Sequence, residues 1–373
     1  MTETMDNLEA TLLERCHPSC RSCVHECLLL QQLNVNGRGL VEWKQSGGDP
    51  RIAFSCPTCD LCAVACNRRL DPGGLLKAWR QLPPANGDQS PAQHSLRQTD
   101  RPDHLYVRYR QRYAAEEPFP EIGPARVSFF PGCAMSAFTP HQARVAFAHL
   151  QKSLPDIGWL EGCCYDPLDK LGLVDRFETS GQRLHKRIAS LGIEEIITAC
   201  PTCTYRLQAL LPKVQVTSIY EWMAREQTLS FKDGAGLAIH DACPDRFTQR
   251  IGKAVRSLLG VTGQVMKHEG KRSLCCGAGG DVPYFNPSLA QAMAERRLAK
   301  AEAGNARILV TYCTTCAVQL AGHSETLPIV HTLDLILGLE SDYRQIAEQV
   351  SHLVVSQIQV STKVRFPSRG RPH

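Results

Sequence analysis

The sequence of 373 residues has no apolar run that could cross a membrane. The stretches LLLQQL at 28–33 and LDLILGL at 333–339 are far shorter than the ~18 to 20 residues that a transmembrane helix requires. The N-terminal sequence MTETMDNLEATLLER is acidic and lacks the basic segment and apolar core of a secretory signal. We therefore expect a cytoplasmic protein, soluble or at most peripheral on the cytoplasmic face of a membrane.

Nucleotide-binding motifs are missing as well. GAGGDV at 277–282 has Val282 where the dinucleotide-binding pattern G-x-G-x-x-G needs its last glycine, and no P-loop is present. The net charge is only +5, without the basic stripe of a nucleic-acid enzyme, although it would suit an acidic redox partner. We therefore expect this chain to bind no flavin, nicotinamide or nucleic acid.

Cysteine, by contrast, is abundant, with 18 residues. A chain of this length can bury its cores without disulfides, and a reducing compartment favours thiols that bind metal. The adjacent pairs Cys163-Cys164 and Cys275-Cys276 would also make strained disulfides. We therefore expect the cysteines to be metal ligands.

Composition divides the chain into several parts. Residues 1–81 read as a small, mostly helical module, and 82–123 as a linker that is rich in Pro, Gln, Ser and Asp and has little to bury. Within the linker, LYVRYRQRY at 105–113 predicts an edge strand, an arm or a surface segment attached to the body. Residues 346–373 form a basic C-terminal tail whose end, STKVRFPSRGRPH, is expected to be disordered or to make a weak membrane or partner contact.

The remaining body repeats itself, as residues 124–233 and 234–345. Cys243, Cys275 and Cys313 follow their counterparts in the first copy at offsets of 110, 112 and 113 residues. Short Val/Ile-rich strands alternate with amphipathic helices, which predicts α/β units on a mainly parallel sheet in each copy, related by a pseudo-twofold axis.

Local signals in the sequence indicate where helices begin and end and where the cysteines lie in this predicted fold. Asn286, Pro287 and Gly304 mark the cap, first turn and end of one predicted helix. The key cysteines are predicted just past the carboxyl ends of strands, close to helix N-termini that stabilise anionic sulfur.

Two cysteine runs in the N-terminal module match iron–sulfur ligation. They are CHPSCRSCVHEC at 16–27 and CPTCDLCAVACN at 56–67, and the second has the bacterial ferredoxin spacing, in which the fourth cysteine serves the other cluster. The first run has an extra residue in its first gap, and Leu28 and Asn67 replace the usual proline. Zinc is the alternative, but its sites do not need four cysteines in one run. The spacing predicts two cubane 4Fe-4S clusters with these ligands: Cys16, Cys20, Cys23 and Cys66 for one; Cys27, Cys56, Cys59 and Cys62 for the other.

The ten remaining cysteines form two sets of five in matching order. Five thiolates are one more than a cubane cluster needs, so either one is idle or the site is unusual. The first set contains Cys133, Cys163, Cys164, Cys200 and Cys203; the second contains Cys243, Cys275, Cys276, Cys313 and Cys316.

These motifs resemble the CCG-domain iron–sulfur proteins of the heterodisulfide reductase B and D type. The resemblance rests on FFPGC at 129–133, GCC at 162–164, ACPTC at 199–203, HDAC at 240–243, LCCGAGG at 274–280 and TYCTTC at 311–316. It implies a ferredoxin-like domain joined to two CCG repeats, in which each set of five cysteines binds a noncubane 4Fe-4S cluster. Glycolate oxidase iron–sulfur subunits and the C-type subunit of anaerobic glycerol-3-phosphate dehydrogenase are similar in layout.

The two repeats differ after the cysteine pair. Tyr165 stands where the CCG motif has glycine, which predicts a restricted first site that only conducts electrons. Gly277, Gly279 and Gly280 predict an open side at the second cluster, where a ligand could approach Cys276. His240, Asp241, Asp281 and Tyr284 are the candidate proton sources nearest in sequence, although capping or hydrogen bonding is the alternative for each.

Two functions are compatible with this resemblance. In the first, the chain is an oxidoreductase subunit that passes electrons between a flavoprotein or ferredoxin-like partner and a disulfide or similar thiol compound at the CCG clusters. In the alternative, it is a non-catalytic relay subunit of a flavin dehydrogenase of the glycolate, lactate, glycerol-3-phosphate or acyl-CoA type. Such a relay would deliver electrons to quinone or another carrier.

Overall fold

The computed structural model describes residues 4–83, 90–227, 231, 234–262 and 266–358. It is a mixed α/β structure with parallel sheets, as the alternating pattern predicts. Among the described residues, no helix is both long enough and apolar enough to span a membrane.

Short helices form the N-terminal module, residues 4–81. Asn36 and Asp71 cap two of these helices, because their side chains accept hydrogen bonds from Gly39 N and Gly74 N. The buried side chains of the module pack against the second repeat through Leu289. The helices are α1 (Met5–Arg15), α2 (Ser22–Glu26), α3 (Leu28–Leu33), α4 (Gly37–Gln45), α5 (Leu61–Ala65) and α6 (Pro72–Trp79).

Residues 90–113, the connecting segment, are packed into the body. The expectation of a linker with little to bury is wrong here, because Ala92, Ser95 and Gln98 are buried. The polar side chains find partners: the Ser95 hydroxyl bonds the Asp281 carboxylate, and the Gln98 amide donates to Gln93 O at 2.8 Å.

The part of the connecting segment with the sequence LYVRYRQRY is a helix, α7 (Leu105–Tyr113), and neither a strand nor an extended arm. Leu105, Tyr106 and Tyr109 are spaced for one helix face, which is buried against Phe138. The alternation of aromatic and basic residues suggested a period of two, but the packing follows the helical period.

The first repeat contains a four-stranded parallel sheet in the order β2-β1-β3-β4. Its strands are β1 (Val127–Phe130), β2 (Gly158–Trp159), β3 (Glu195–Thr198) and β4 (Gln215–Ser218). Its helices are α8 (Cys133–Phe138), α9 (Pro140–Ser153), α10 (Asp166–Lys170), α11 (Val174–Ser190), α12 (Pro201–Leu210) and α13 (Ile219–Glu226).

The second repeat contains a parallel sheet in the order β5-β6-β7, which matches β1-β3-β4 of the first repeat. One hydrophobic core includes residues of both sheets, such as Phe129 and Leu309, so the repeats are packed together. The strands are β5 (Leu237–His240), β6 (Ile308–Thr311) and β7 (Ile329–His331). The helices are α14 (Arg250–Leu258), α15 (Val282–Phe285), α16 (Pro287–Glu302), α17 (Thr314–Ala321), α18 (Thr332–Leu337) and α19 (Tyr343–Ile358).

Two helix ends in the second repeat refine the expectations. Asn286 caps α16 by accepting a hydrogen bond from Leu289 N at 3.2 Å, as predicted. The left-handed residue after this helix is Asn305, with φ 55°, and not Gly304. Helix α19 includes residues 346–358 of the expected tail and packs on α7 and α17, whereas residues 361–373 lie outside the described residues.

Candidate metal centres

The key cysteines lie where parallel strands end. Cys133 opens α8 after β1, and Cys200 precedes α12 after β3. Cys243 and Cys313 follow β5 and β6 in the same way. None of the 18 cysteines forms a disulfide.

The cysteines of the N-terminal module come together in two groups of four. In the outer quartet (Cys16, Cys20, Cys23 and Cys66), burial and, to a lesser degree, the three partner thiols together raise the pKa of Cys23 to about 11. Cys20 is half-buried, and hydrogen bonds from Ser22 lower its pKa, an effect to which Arg68 adds. The outer quartet thus has one edge near solvent and a basic side chain beside it.

The inner quartet (Cys27, Cys56, Cys59 and Cys62) lines a small cavity of about 30 Å³. Burial and, to a lesser degree, the nearby Cys59 together raise the pKa of Cys27 to about 12. Cys275 of the second repeat lines the same cavity, and its thiol donates a hydrogen bond that lowers the pKa of Cys59 to about 7. The N-terminal module and the second repeat are therefore in contact through the thiols of Cys59 and Cys275.

The cysteine sets of both repeats surround one cavity of about 110 Å³, the central cavity. Cys163 is not in its lining, but its Sγ lies 3.7 Å from that of Cys133. The Sγ atoms of Cys276 and Cys316 lie 3.1 Å apart. The lining cysteines are Cys133, Cys164, Cys200, Cys203, Cys243, Cys275, Cys276, Cys313 and Cys316.

The chemistry of these donors fits an iron–sulfur group. Burial raises the pKa of Cys243 to about 12, so thiolates here need a positive centre that compensates for the lost solvation. Ligand atoms of His240, Cys276 and Cys316 lie within 4.8 Å of one another, close enough for one metal ion. Clustered thiols with few other donors are the ligands that iron–sulfur clusters use.

The glycines of LCCGAGG allow close packing on one side of the loop, and two of them line the central cavity on the other. A Cβ on Gly277 would lie 2.5 Å from Ala290 O of α16, and one on Gly280 would lie 2.5 Å from Cys56 O. A Cβ on Gly279 would overlap Pro57 O. The loop has protein behind it on one side, while Gly279 and Gly280 line the central cavity on the other.

Tyr165 does not restrict the cavity as predicted, because it is not among the lining residues. It packs in the core of the first repeat and takes the left-handed conformation, with φ 59°. Its backbone N donates to Cys163 Sγ at 3.3 Å, as Gly277 N does to Cys275 Sγ. The two cysteine pairs therefore share a backbone turn although their sequences differ.

Two of the four candidate proton sources reach the central cavity, namely His240 and Asp281. Burial lowers the pKa of His240, and its hydrogen bond with Cys276 opposes this effect. Asp241 instead binds Arg256 at 2.7 Å and accepts from Gly270 N, so it holds the fold together. Tyr284 lies in a neighbouring cleft beside Phe285.

Three further residues of the cavity have no signal in the cysteine motifs. Arg97 and Tyr106 come from the connecting segment, and Lys170 from α10. Burial lowers the pKa of Lys170, but Asp166, whose carboxylate lies 2.8 Å from Nζ, raises it more. Only the fold brings these side chains to the cavity, so the sequence patterns could not find them.

Two buried arginines hold the inner quartet against the second repeat. Arg246 donates to Cys59 O and Ser273 O, both at 2.8 Å. Arg80 donates to Ala53 O at 2.8 Å and to Gly280 O at 3.3 Å. Both therefore join backbone carbonyls of the N-terminal module and of the second repeat.

The chain matches a known domain family twice. The model of the cysteine-rich domain called CCG covers residues 127–208 and 237–321. An uncharacterised iron–sulfur protein of Methanococcus maripaludis is 22% identical over 354 residues, which are 85% of this chain and 71% of that protein. The D-type subunit of the dihydromethanophenazine:CoB–CoM heterodisulfide reductase of Methanosarcina barkeri is 25% identical over 305 residues, 73% of each chain. Its counterpart in Methanosarcina mazei is 23% identical over 321 residues, 77% of this chain and 76% of that one.

Among solved structures, that of a protein assigned as an Asp/Glu racemase from Yersinia pestis covers 61% of this chain and all of its own, with 12% identity and a TM-score of 0.30. This likeness is too low to bear on the fold or the function.

With two CCG matches over its repeats, this chain is an iron–sulfur protein with two CCG cysteine-rich domains. It is related to the D-type subunit of heterodisulfide reductase, which confirms the resemblance seen in the motifs.

Proposed function

We propose that this chain is an electron-transfer subunit that carries electrons from a redox partner to a disulfide or similar thiol compound in the central cavity. The observation that carries the proposal is the placement of thiols from both repeats around one cavity that touches the inner quartet through Cys275 and Cys59. Relatedness to the D-type subunit of heterodisulfide reductase supports the same function.

In this proposal the N-terminal module is a ferredoxin-like domain, and the repeats 124–233 and 234–345 are half-domains related by a pseudo-twofold axis. The outer and inner quartets each hold a cubane 4Fe-4S cluster, with Cys66 and Cys27 exchanged between the two cysteine runs. Each set of five cysteines holds a noncubane 4Fe-4S cluster.

Electrons enter at the outer quartet in this scheme, because Cys20 lies beside the exposed Arg68, whereas Cys59 of the inner quartet lies against Cys275 of the second repeat. The contact between Cys59 and Cys275 then gives a direct way from the inner quartet to the second set. A flavoprotein or another iron–sulfur protein fits as the donor, since this chain offers no nucleotide motif of its own.

The bound clusters would supply electrons one at a time beside the substrate sulfur atoms. Reduction of a disulfide to two thiols consumes two electrons and two protons, so the cavity needs proton donors. His240 is placed to hold one proton on its imidazole next to Cys276. Asp281 is oriented by Arg97, at 3.2 Å, and by the Ser95 hydroxyl.

The relay function is the second candidate, favoured by the packing of LCCGAGG against α16 and against Pro57. That packing covers one side of the loop, so approach is left to the side that lines the central cavity, whose volume is about 110 Å³. A flavin dehydrogenase would then be the partner, with quinone or another carrier as the acceptor and a peripheral membrane location.

Anaerobic purification with bound partners, followed by iron analysis and electron paramagnetic resonance (EPR), tests the proposal. Four clusters predict about sixteen iron atoms per chain, and eight or fewer would exclude the clusters of the repeats. Addition of a disulfide should change the EPR spectrum in the wild type but not in Cys276→Ser. The matched variant Cys20→Ser alters the outer quartet only and should keep the change; if the wild type shows no change, the relay function is supported.

A further inference from the structure

The connecting segment brings a cation to the central cavity from outside both repeats. Arg97 lines the cavity together with cysteines of the two sets, and its side chain is only 16% exposed. Its Nε lies 3.2 Å from Asp281 Oδ1, and its Nη1 donates to Ala278 O at 3.2 Å. Both partners belong to the loop that follows Cys276, so the guanidinium is held at the second set.

The same guanidinium also acts on the first set. Burial lowers the pKa of Arg97, but nearby Tyr106 and Asp281 and the thiols of Cys133 and Cys276 raise it, so the group stays charged. Cys133 belongs to the first repeat and Cys276 to the second. One fixed positive charge therefore lies within electrostatic reach of thiols from both sets.

The second cation of the cavity is bound differently. Lys170 Nζ binds Asp166 at 2.8 Å, on the side of the cavity where Cys243 lies. Arg97 also has a carboxylate partner, but Asp281 is shared with the uncharged Ser95 hydroxyl, whereas Asp166 is shared with a second cation, Arg206. Arg97 lies outside the duplicated part of the chain, because the connecting segment occurs only once in the sequence.

We propose that the Arg97–Asp281 pair sets the reduction potential of the clusters in both repeats, with Arg97 favouring the reduced state and Asp281 opposing it. An added electron adds negative charge, which a fixed cation in a poorly solvated cavity stabilises more strongly than it would in water. Removal of Arg97 should therefore lower the reduction potentials, and removal of Asp281 should raise them. The inference rests on the proposed ligation of clusters by the two cysteine sets.

The test is a potentiometric titration of the full chain followed by EPR. Arg97→Gln should lower the ratio of reduced to oxidised cluster at a fixed potential about tenfold, which is a shift of ~59 mV for one electron. Asp281→Asn should raise the potentials, and Arg97→Lys should keep them close to wild type. The signals of the outer and inner quartets should move little, because Cys133 and Cys276 are the thiols on which Arg97 acts.

Arg176→Gln is the matched control. Arg176 on α11 holds the same connecting segment, through Asp100 Oδ2 at 2.7 Å and Gln98 Oε1 at 2.6 Å, but does not line the cavity. Its loss should loosen the segment without moving the potentials. Equal shifts in Arg176→Gln and Arg97→Gln, or shifts of the same sign in Arg97→Gln and Asp281→Asn, would overturn the inference.

Iron analysis separates failure of this inference from failure of the proposed function. If the wild type holds no clusters in its repeats, the proposed function fails and so does the inference. If the clusters are present and the potentials do not respond, the inference alone is wrong. Should Arg97→Gln fail to fold, the upward shift expected in Asp281→Asn still decides the matter.

Discussion

Gly277 and Tyr165 occupy the same turn after a cysteine pair, and both take a left-handed backbone, with φ 90° and 59°. Gly277 has no room for a side chain, because a Cβ there meets Ala290 O at 2.5 Å. Tyr165 has room in the core of the first repeat. The same backbone conformation therefore tolerates opposite side-chain sizes, depending on what lies next to it.

At this scale we expect Gly277→Ala to lower the free energy of unfolding by about 2 kcal/mol, since it adds a steric overlap to a left-handed backbone. Tyr165→Gly is the paired change. It relieves the left-handed strain but loses packing, so stability should change by less than about 1 kcal/mol. Anaerobic thermal unfolding with iron analysis measures both; a larger loss in Tyr165→Gly than in Gly277→Ala would contradict the packing argument.

At the scale of elements, the joint between the N-terminal module and the second repeat depends on buried guanidinium groups. Arg246 is 1% exposed, and its donors satisfy carbonyls from both sides of the joint. Removing it leaves Cys59 O and Ser273 O buried without these partners. Buried carbonyls that lose charged donors cost more than ordinary hydrogen bonds.

We therefore expect Arg246→Gln to lower the free energy of unfolding by about 3 kcal/mol and to weaken the magnetic interaction between the clusters proposed for the inner quartet and the second set. Chemical denaturation and EPR of the reduced protein measure the two effects. Arg250→Gln is the control, because that side chain is 48% exposed and its loss should cost under about 0.5 kcal/mol. Equal destabilisation by both variants would contradict the role given to Arg246.

The sequence patterns predicted elements whose signals are local. Strand-end cysteines such as Cys200 and Cys313 were predictable because a strand, C-x-x-C and a helix follow one another within a short stretch. The place of the connecting segment was not, because its partners are remote: Ser95 bonds Asp281, which is 186 residues away. Local composition suggests solvent exposure for such a segment, whereas a distant carboxylate decides its burial.

For the whole molecule, the outer quartet is the end proposed for electron entry. Arg15 and Arg68 are exposed there, and each donates to the other's backbone carbonyl, which fixes them near Cys20. A donor with an acidic surface would be attracted to this end, and its association would weaken as salt rises.

The double variant Arg15→Glu/Arg68→Glu should slow reduction by a small acidic ferredoxin about tenfold at low salt. The rate with a small uncharged reductant should stay close to that of the wild type, because such a reductant is not attracted by the surface charge. Stopped-flow absorbance measures both rates. Arg225→Glu, a change at a side chain that is 54% exposed in the first repeat, should leave both rates unaltered; a matching loss there would show that the effect is not local to the outer quartet.

The tight fit between LCCGAGG and the loop at Cys56 and Pro57 also has a consequence for the assembly of the folded protein. Gly279 and Gly280 meet these backbone carbonyls with no space for a methyl group, so the N-terminal module can dock only when both loops have their final shape. The cysteines on each loop are among the proposed cluster ligands. Cluster insertion into the N-terminal module and into the second repeat should therefore depend on each other. In a chain that lacks iron, we expect the whole contact between the module and the second repeat to be lost.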